Sequence, residues 1–282
     1  MKTFDYLHHS SSDNDRIQQV SKVIEKLARF GYAVKGIVYG LIGILAVQAA
    51  FTAGGKTTGS KGALHTIAAQ PFGSFLLILI AIGLLGYVIW RFVQAINDPE
   101  HQKTNTKRVV ARIGYAISGI LYLGLAASAV QIVLNVGGGG GGNSTQTWTA
   151  RLLGQPFGRW LVGLVGALVI GVGFYRLYRA YTIEFRKNLN LSEMSPQQEV
   201  WAVRISRLGI TARGIVFVLI GFFLIQAAKQ FNPNQAKGLD GVLLEIAQRP
   251  HGQILLALVA IGLVAYGIYM LVQARYRRIR TT

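Results

Sequence analysis

The chain has 282 residues, of which 51% are hydrophobic and only 14% charged, with a mean hydropathy of +0.39. A soluble domain carries about 25% charged residues because its surface faces water, so this composition excludes an ordinary soluble globular domain. The 29 Lys and Arg against 11 Asp and Glu leave a net charge of +18, and the chain has no cysteine. Disulfides, thiolate metal sites and cysteine nucleophiles are thereby excluded.

In chain order, residues 1–27 form a polar tail without the apolar core of a cleavable signal peptide. Six apolar stretches follow, at 30–51, 72–95, 113–136, 159–181, 208–228 and 252–274. Each approximates the ~20 helical residues that cross a hydrocarbon core of roughly 30 Å. The fourth is interrupted nearest its ends, by Arg159 and Arg176, whose long side chains can snorkel to the interfaces. Short amphipathic stretches at 63–68, 148–153 and 242–247 precede Pro71, Pro156 and Pro250, and predict brief helices lying on the membrane surface. A glycine run at 137–142 lengthens one external loop, and all six prolines lie outside the spans or at their mouths.

Six helices apolar all round have no polar face to offer water, and continuous apolar runs lack the alternation of a β-barrel. The fold class is therefore an all-α integral membrane protein. The termini and the loops 97–110 and 182–205, with adjoining helix ends, hold 22 of the basic residues, against 7 on the other face. This asymmetry predicts cytoplasmic termini. The basic residues recur at helix ends, so the charge predicts anionic lipid headgroups as partners, at about 1 kcal/mol each near the surface, and no nucleic acid.

The chain repeats itself. The first span opens Ala28-Arg29-Phe30-Gly31-Tyr32, with Gly36 following, and the third opens Ala111-Arg112-Ile113-Gly114-Tyr115, with Gly119. The fifth opens Ser206-Arg207-Leu208-Gly209-Ile210, with Gly214. Gln48, Gln131 and Gln226 each lie nineteen residues past the Arg, and the outer loops align as Gln70-Pro71-Phe72-Gly73, Gln155-Pro156-Phe157-Gly158 and Arg249-Pro250-His251-Gly252. The chain thus divides into repeat 1 (28–96), repeat 2 (111–181) and repeat 3 (206–275), joined by loops 97–110 and 182–205 and ending in a basic tail at 276–282. Three repeats entering the membrane in one direction predict a six-helix bundle with pseudo-threefold symmetry. The pattern A-R-x-G-Y-x-x-x-G with Q-P-F-G resembles the bacterial membrane family called domain of unknown function 1206 over roughly residues 24–276. The resemblance implies this topology and a location in the bacterial cytoplasmic (inner) membrane, and no activity.

Candidate functional or packing positions are the repeat-equivalent sets Lys35, Ser118 and Arg213; Gln48, Gln131 and Gln226; Gly36, Gly119 and Gly214; and Pro71, Pro156 and Pro250. The glycines predict close helix packing, because no water drives helices together in lipid. Lys35 and Arg213 lie about one turn inside the boundary, where the favoured expectation is snorkelling to headgroups, and the alternative a cationic ring that draws in anions. Thirteen residues separate each cation from its glutamine, about 140° around the helix, which tells against one pore stripe bearing both sets. No Asp, Glu or His lies within a span, so no cofactor, metal site or catalytic residue is expected. Gly54-Gly55-Lys56-Thr57 lacks the first glycine and the strand of a phosphate-binding loop. The functional expectation is a non-enzymatic structural or accessory membrane protein, with a membrane-protein partner or a homo-oligomer. The alternative is a small channel or transporter-like module for an anion or lipid headgroup around the pseudo-threefold axis.

Overall fold

A computed structural model of the protein describes residues 4–51, 57–97, 105–135 and 144–279, with side chains at all of these but 4–17, 97, 105–108, 110 and 144. The glycine run 137–142, the Gly54–Lys56 segment and residues 98–104 of the 97–110 loop lie outside the described residues. The elements are α1 (Phe4–Phe51), α2 (Ser60–Ala68), α3 (Gly73–Asn97), α4 (Asn105–Val133), α5 (Ser144–Leu153), α6 (Gly158–Tyr181), α7 (Pro196–Gln230), α8 (Leu239–Ala247) and α9 (Gly252–Tyr276). Six stretches are long and apolar enough to cross a membrane: Gln18–Phe51, Gly73–Ile96, Ala111–Val133, Gly158–Tyr181, Pro196–Gln230 and Gly252–Tyr276. These are the six spans read from the sequence.

Three helices begin well before their apolar stretches, α4 among them at Asn105. The polar tail is helical from Phe4, so α1 runs 48 residues. The 182–205 loop becomes helix at Pro196, where Ser195 and Gln198 form a capping box. Ser195 Oγ accepts from the Gln198 amide at 3.3 Å, and the Ser195 amide donates to Gln198 Oε1 at 3.1 Å. This satisfies two of the amides that a helix start leaves unpaired. The rest of the loop is tucked inward: Phe185 and Leu189 are buried, and Leu189 makes an antiparallel bridge with Arg277 beyond α9.

At the opposite end each repeat turns in the same way. The helices α2, α5 and α8 stop just before Pro71, Pro156 and Pro250, as the sequence predicted. Phe72, Phe157 and His251 then take left-handed conformations with φ 62°, 62° and 59°. Gly73, Gly158 and Gly252 follow, where a Cβ would overlap the carbonyl oxygens of Ala68, Leu152 and Ala247. The three short helices pack against the tops of the long ones. On α8, Lys237 and Arg249 flank Glu245 and hold its carboxyl below its usual range, with the hydrogen bond from Lys237 the main cause.

The spans form an incomplete ring. Between repeats, α3 packs on α4, α6 on α7 and α9 on α1; within repeats, α1 packs on α3 and α7 on α9. The sixth contact that threefold symmetry requires is missing, since α4 and α6 share no packed interface among the described residues. In the most apolar windows of α4 and α6, 22% and 17% of residues are buried, against 50–56% in the other four spans.

The sequence explains the gap. In repeats 1 and 3 the two helices touch through glycines: a Cβ on Gly31 would lie 2.6 Å from the Tyr87 backbone nitrogen, and one on Gly209 would overlap the Tyr266 backbone. Gly83 faces Val34 and Gly262 faces Ala212 so closely that a Cβ on either would overlap the opposing side chain. Repeat 2 has Leu168 at that glycine position and Ile117 opposite. Two branched side chains cannot occupy a space that holds none on one side, so the helices stand apart. Gly114, the counterpart of Gly31, accordingly has open space where its Cβ would be.

Gly209→Ala should therefore destabilise the protein by about 1–3 kcal/mol through overpacking, while Gly114→Ala should leave it unchanged or slightly more stable. Thermal unfolding of both variants in the same detergent checks this. Equal losses at both positions would contradict the open second repeat.

Candidate functional site

The inward faces of α1, α4 and α7 carry one repeat-equivalent pair each: Lys35 with Tyr39, Ser118 with Tyr122, and Arg213 with Phe217. A four-residue spacing places each pair on one helix face. Lys35 and Arg213 are 3% and 8% exposed, and Ser118 is half-buried. The expectation that the two cations snorkel outward to headgroups is therefore corrected. Their side chains turn into the bundle because aromatic faces from their own and neighbouring repeats receive them there.

The receiving surface is a connected set of rings. Lys35 Nζ donates to Tyr87 Oη at 2.9 Å and stands 4.5 Å and 4.4 Å from the ring centres of Tyr87 and Tyr122. The Arg213 guanidinium lies 4.1 Å from the ring of Tyr39, 4.7 Å from Tyr266 and 5.0 Å from Phe217. The hydroxyls of Tyr39 and Tyr122 are 3.3 Å apart, and Tyr39 meets Tyr266 edge to face at 5.0 Å. Rings from all three repeats thus join the Lys35 and Arg213 positions.

Two further cations join from the second helix of a repeat. Arg91 on α3 donates from Nε to Tyr87 Oη at 2.7 Å and from Nη1 to Gln94 Oε1 at 2.8 Å, with its guanidinium 4.8 Å from the Tyr87 ring. Arg176 on α6 lies 5.0 Å from the Phe217 ring, which it shares with Arg213. Arg91 and Arg176 occupy equivalent positions, twenty residues past Pro71 and Pro156, where repeat 3 has Met270. Sequence reasoning missed this pair as site residues: Arg91 and Arg176 had been assigned to helix ends. The adjoining Trp90, Tyr175 and Tyr269 register marked the position.

The four cations are electrostatically unbalanced. Lys35 and Arg91 share the hydroxyl and ring of Tyr87, and Arg176 and Arg213 share the ring of Phe217. Among the described residues no carboxylate pairs with any of the four, the ion pairs lying at Arg29–Glu25, Arg186–Glu199 and Glu245 with Lys237 and Arg249. The buried Nε atoms of Arg176 and Arg213 have no hydrogen-bond partner. A ring face is worth about 2 kcal/mol to a desolvated cation, against a burial cost of several kcal/mol per ion. Rings also do nothing to offset the repulsion among four like charges.

The other candidate positions lie elsewhere. Gln48 and Gln131 are exposed and Gln226 is half-buried, so the glutamines do not join the cations inside the ring. Gly36 and Gly214 lie where repeats meet, with a Cβ 2.8 Å from the Gly267 carbonyl and 2.9 Å from the Leu177 side chain respectively. Gly119 is looser, 3.3 Å from the Phe92 ring. Pro71, Pro156 and Pro250 build the outer turns, far along the helices from the cations.

Fold and site together define a multi-pass, all-helical membrane protein built from three tandem two-helix repeats, with a cationic-aromatic cluster where the repeats meet. The chain belongs to the family described as Domain of Unknown Function (DUF1206), which matches three times, at residues 30–98, 113–182 and 208–277. It is 39% identical over 260 residues to "Uncharacterized protein YxxB" of Bacillus subtilis (strain 168), covering 92% of this chain and 94% of that protein. No solved structure matches the fold.

Tyr87→Phe removes the one hydroxyl that accepts from both Lys35 and Arg91. The variant should lose about 1.5–3 kcal/mol, the range for hydrogen bonds to charged groups, in detergent-unfolding measurements. Wild-type stability would contradict the geometry of the cluster.

Proposed function

We propose that the protein is a non-enzymatic membrane protein that binds an anionic group, such as a phosphate, among Lys35, Arg91, Arg176 and Arg213. The observation that carries this reading is a cluster of four desolvated or partly desolvated cations with no carboxylate among the described residues to balance them. A bound oxyanion would supply the missing acceptors for the Arg213 and Arg176 Nε atoms, as charge-assisted hydrogen bonds. Intramembrane ionisable residues are costly and are retained where they serve a pathway or a ligand. The excess of basic residues around the termini supports an orientation with both termini in the cytoplasm of a bacterial cell, which puts the cluster toward the cytoplasmic leaflet. Between the two sequence expectations, the geometry favours the anion-binding one over a purely structural or accessory role.

Binding to the folded state raises its stability in proportion to ligand concentration over Kd. In a zwitterionic detergent, added phosphatidylglycerol or inorganic phosphate should raise the unfolding midpoint of the wild type, and phosphatidylcholine should not. Arg213→Met should abolish the shift while raising the ligand-free midpoint, because a desolvated charge has been replaced by an apolar side chain. Equal anion shifts in wild type and variant would reject the proposal.

A further inference from the structure

The open side of the ring leads toward the cation cluster. Positions that are sealed in repeats 1 and 3 are bare in repeat 2. Val34 and Ala212 are 3% and 7% exposed and their counterpart Ile117 is 52%; Val38 and Val216 are 1% and 2%, but Leu121 is 69%. On the second helix, Tyr87 and Tyr266 are 0% and 1% exposed, whereas Val172 is 43%; Trp90 and Tyr269 are 1% and 6%, whereas Tyr175 is 56%. The result is a cleft between α4 and α6 with apolar walls along its length.

The cleft has a polar foot. Arg176 lies one turn along α6 from Val172, on the helix that forms one wall, and Ser118 lies one residue from Ile117 on the other. Val172 is also the position at which the other repeats place Tyr87 and Tyr266, the rings that close the cluster in those repeats. With valine there, the third ring of the wall is missing. The buried Phe185 and Leu189 segment lies across the α9 side of the same end, with Phe185 5.8 Å from the Tyr269 ring. Among the described residues nothing covers a sideways approach from the bilayer between α4 and α6.

We infer that the cleft between α4 and α6 seats one anionic phospholipid taken laterally from the bilayer. An acyl chain would lie against Ile117, Leu121, Leu168 and Val172, and the phosphate would reach Arg176 and Arg213. This rests on the anion-binding reading above and adds the ligand class and the route. Charge complementarity selects this occupant: a partner helix would cover the apolar walls but bring no anion to the foot, and free phosphate would use the foot and leave the walls bare. The two features coincide only in a molecule that is apolar along most of its length and anionic at one end.

Two variants obstruct the cleft without replacing a cation. Leu168→Gly restores the glycine of the other repeats, so that α4 and α6 can approach; Val172→Phe fills the mouth with a ring that lacks the hydroxyl through which Tyr87 engages Arg91. The second keeps the test valid if glycine weakens α6. Phosphatidylglycerol affinity, read from the concentration dependence of the unfolding midpoint, should fall at least about tenfold in both variants, the equivalent of about 1.4 kcal/mol. The shift produced by inorganic phosphate should persist. If both variants keep wild-type phosphatidylglycerol affinity while Arg213→Met loses it, the lateral route is wrong and anion binding stands. If Arg213→Met also keeps it, anion binding fails as well. If native mass spectrometry finds a homodimer that the two variants dissociate, the cleft is an interface between copies and the lipid proposal is overturned.

Discussion

How closely two helix backbones can approach decides this architecture. Lipid offers helices no hydrophobic reason to associate, so contact depends on van der Waals packing and on small residues that admit it. At one register of the second helix in each repeat, Gly83 and Gly262 let α3 and α9 lie against α1 and α7. At the third copy of that register stands Leu168, and there the ring is open. Leu168, facing Ile117, thus accompanies the open side of the bundle. The inter-repeat contacts keep their glycines, Gly36 with Gly267 and Gly214 with Gly173, so the bundle holds together while one hairpin is splayed.

The interior follows from the same symmetry. Each repeat contributes an aromatic at the Tyr39, Tyr122 and Phe217 position, and two of three contribute a cation one turn before it. Ring faces accept cations without needing an anion, which lets Lys35 and Arg213 point inward. They remain a strained solution, because four cations share that space and the six apolar stretches read from the sequence contain no Asp or Glu. The asymmetry of repeat 2, serine in place of a cation and valine in place of a ring, falls beside the opening. Loss of symmetry and the open side of the ring are thus two aspects of one set of substitutions.

Much of this was legible in the sequence. The six spans follow from length and apolarity, the three repeats from registered Arg, Gly, Gln and Pro positions, and the packing role of Gly36 and Gly214 from small-residue spacing. The inward direction of Lys35 and Arg213 was not, because helices that are apolar all round carry no moment to say which face is buried. The four-residue spacing of Lys35 to Tyr39 showed a shared face, but only the fold shows that this face meets Tyr87 and Tyr266 from other helices. The early start of α7 was readable in Ser195-Pro196-Gln197-Gln198 and lay outside a reading based on apolarity. The cleft needed the comparison of Leu168 with Gly83 and Gly262, a contrast that acquires meaning once those glycines are seen touching a neighbouring helix.

The most direct test is an experimental structure of the protein in nanodiscs containing phosphatidylglycerol. The account predicts α4 and α6 standing apart, with elongated density along the cleft and its phosphate peak within hydrogen-bonding reach, about 3 Å, of the Arg176 and Arg213 nitrogens. A second repeat closed like the other two, or an occupied cleft with no anion beside those arginines, would contradict it.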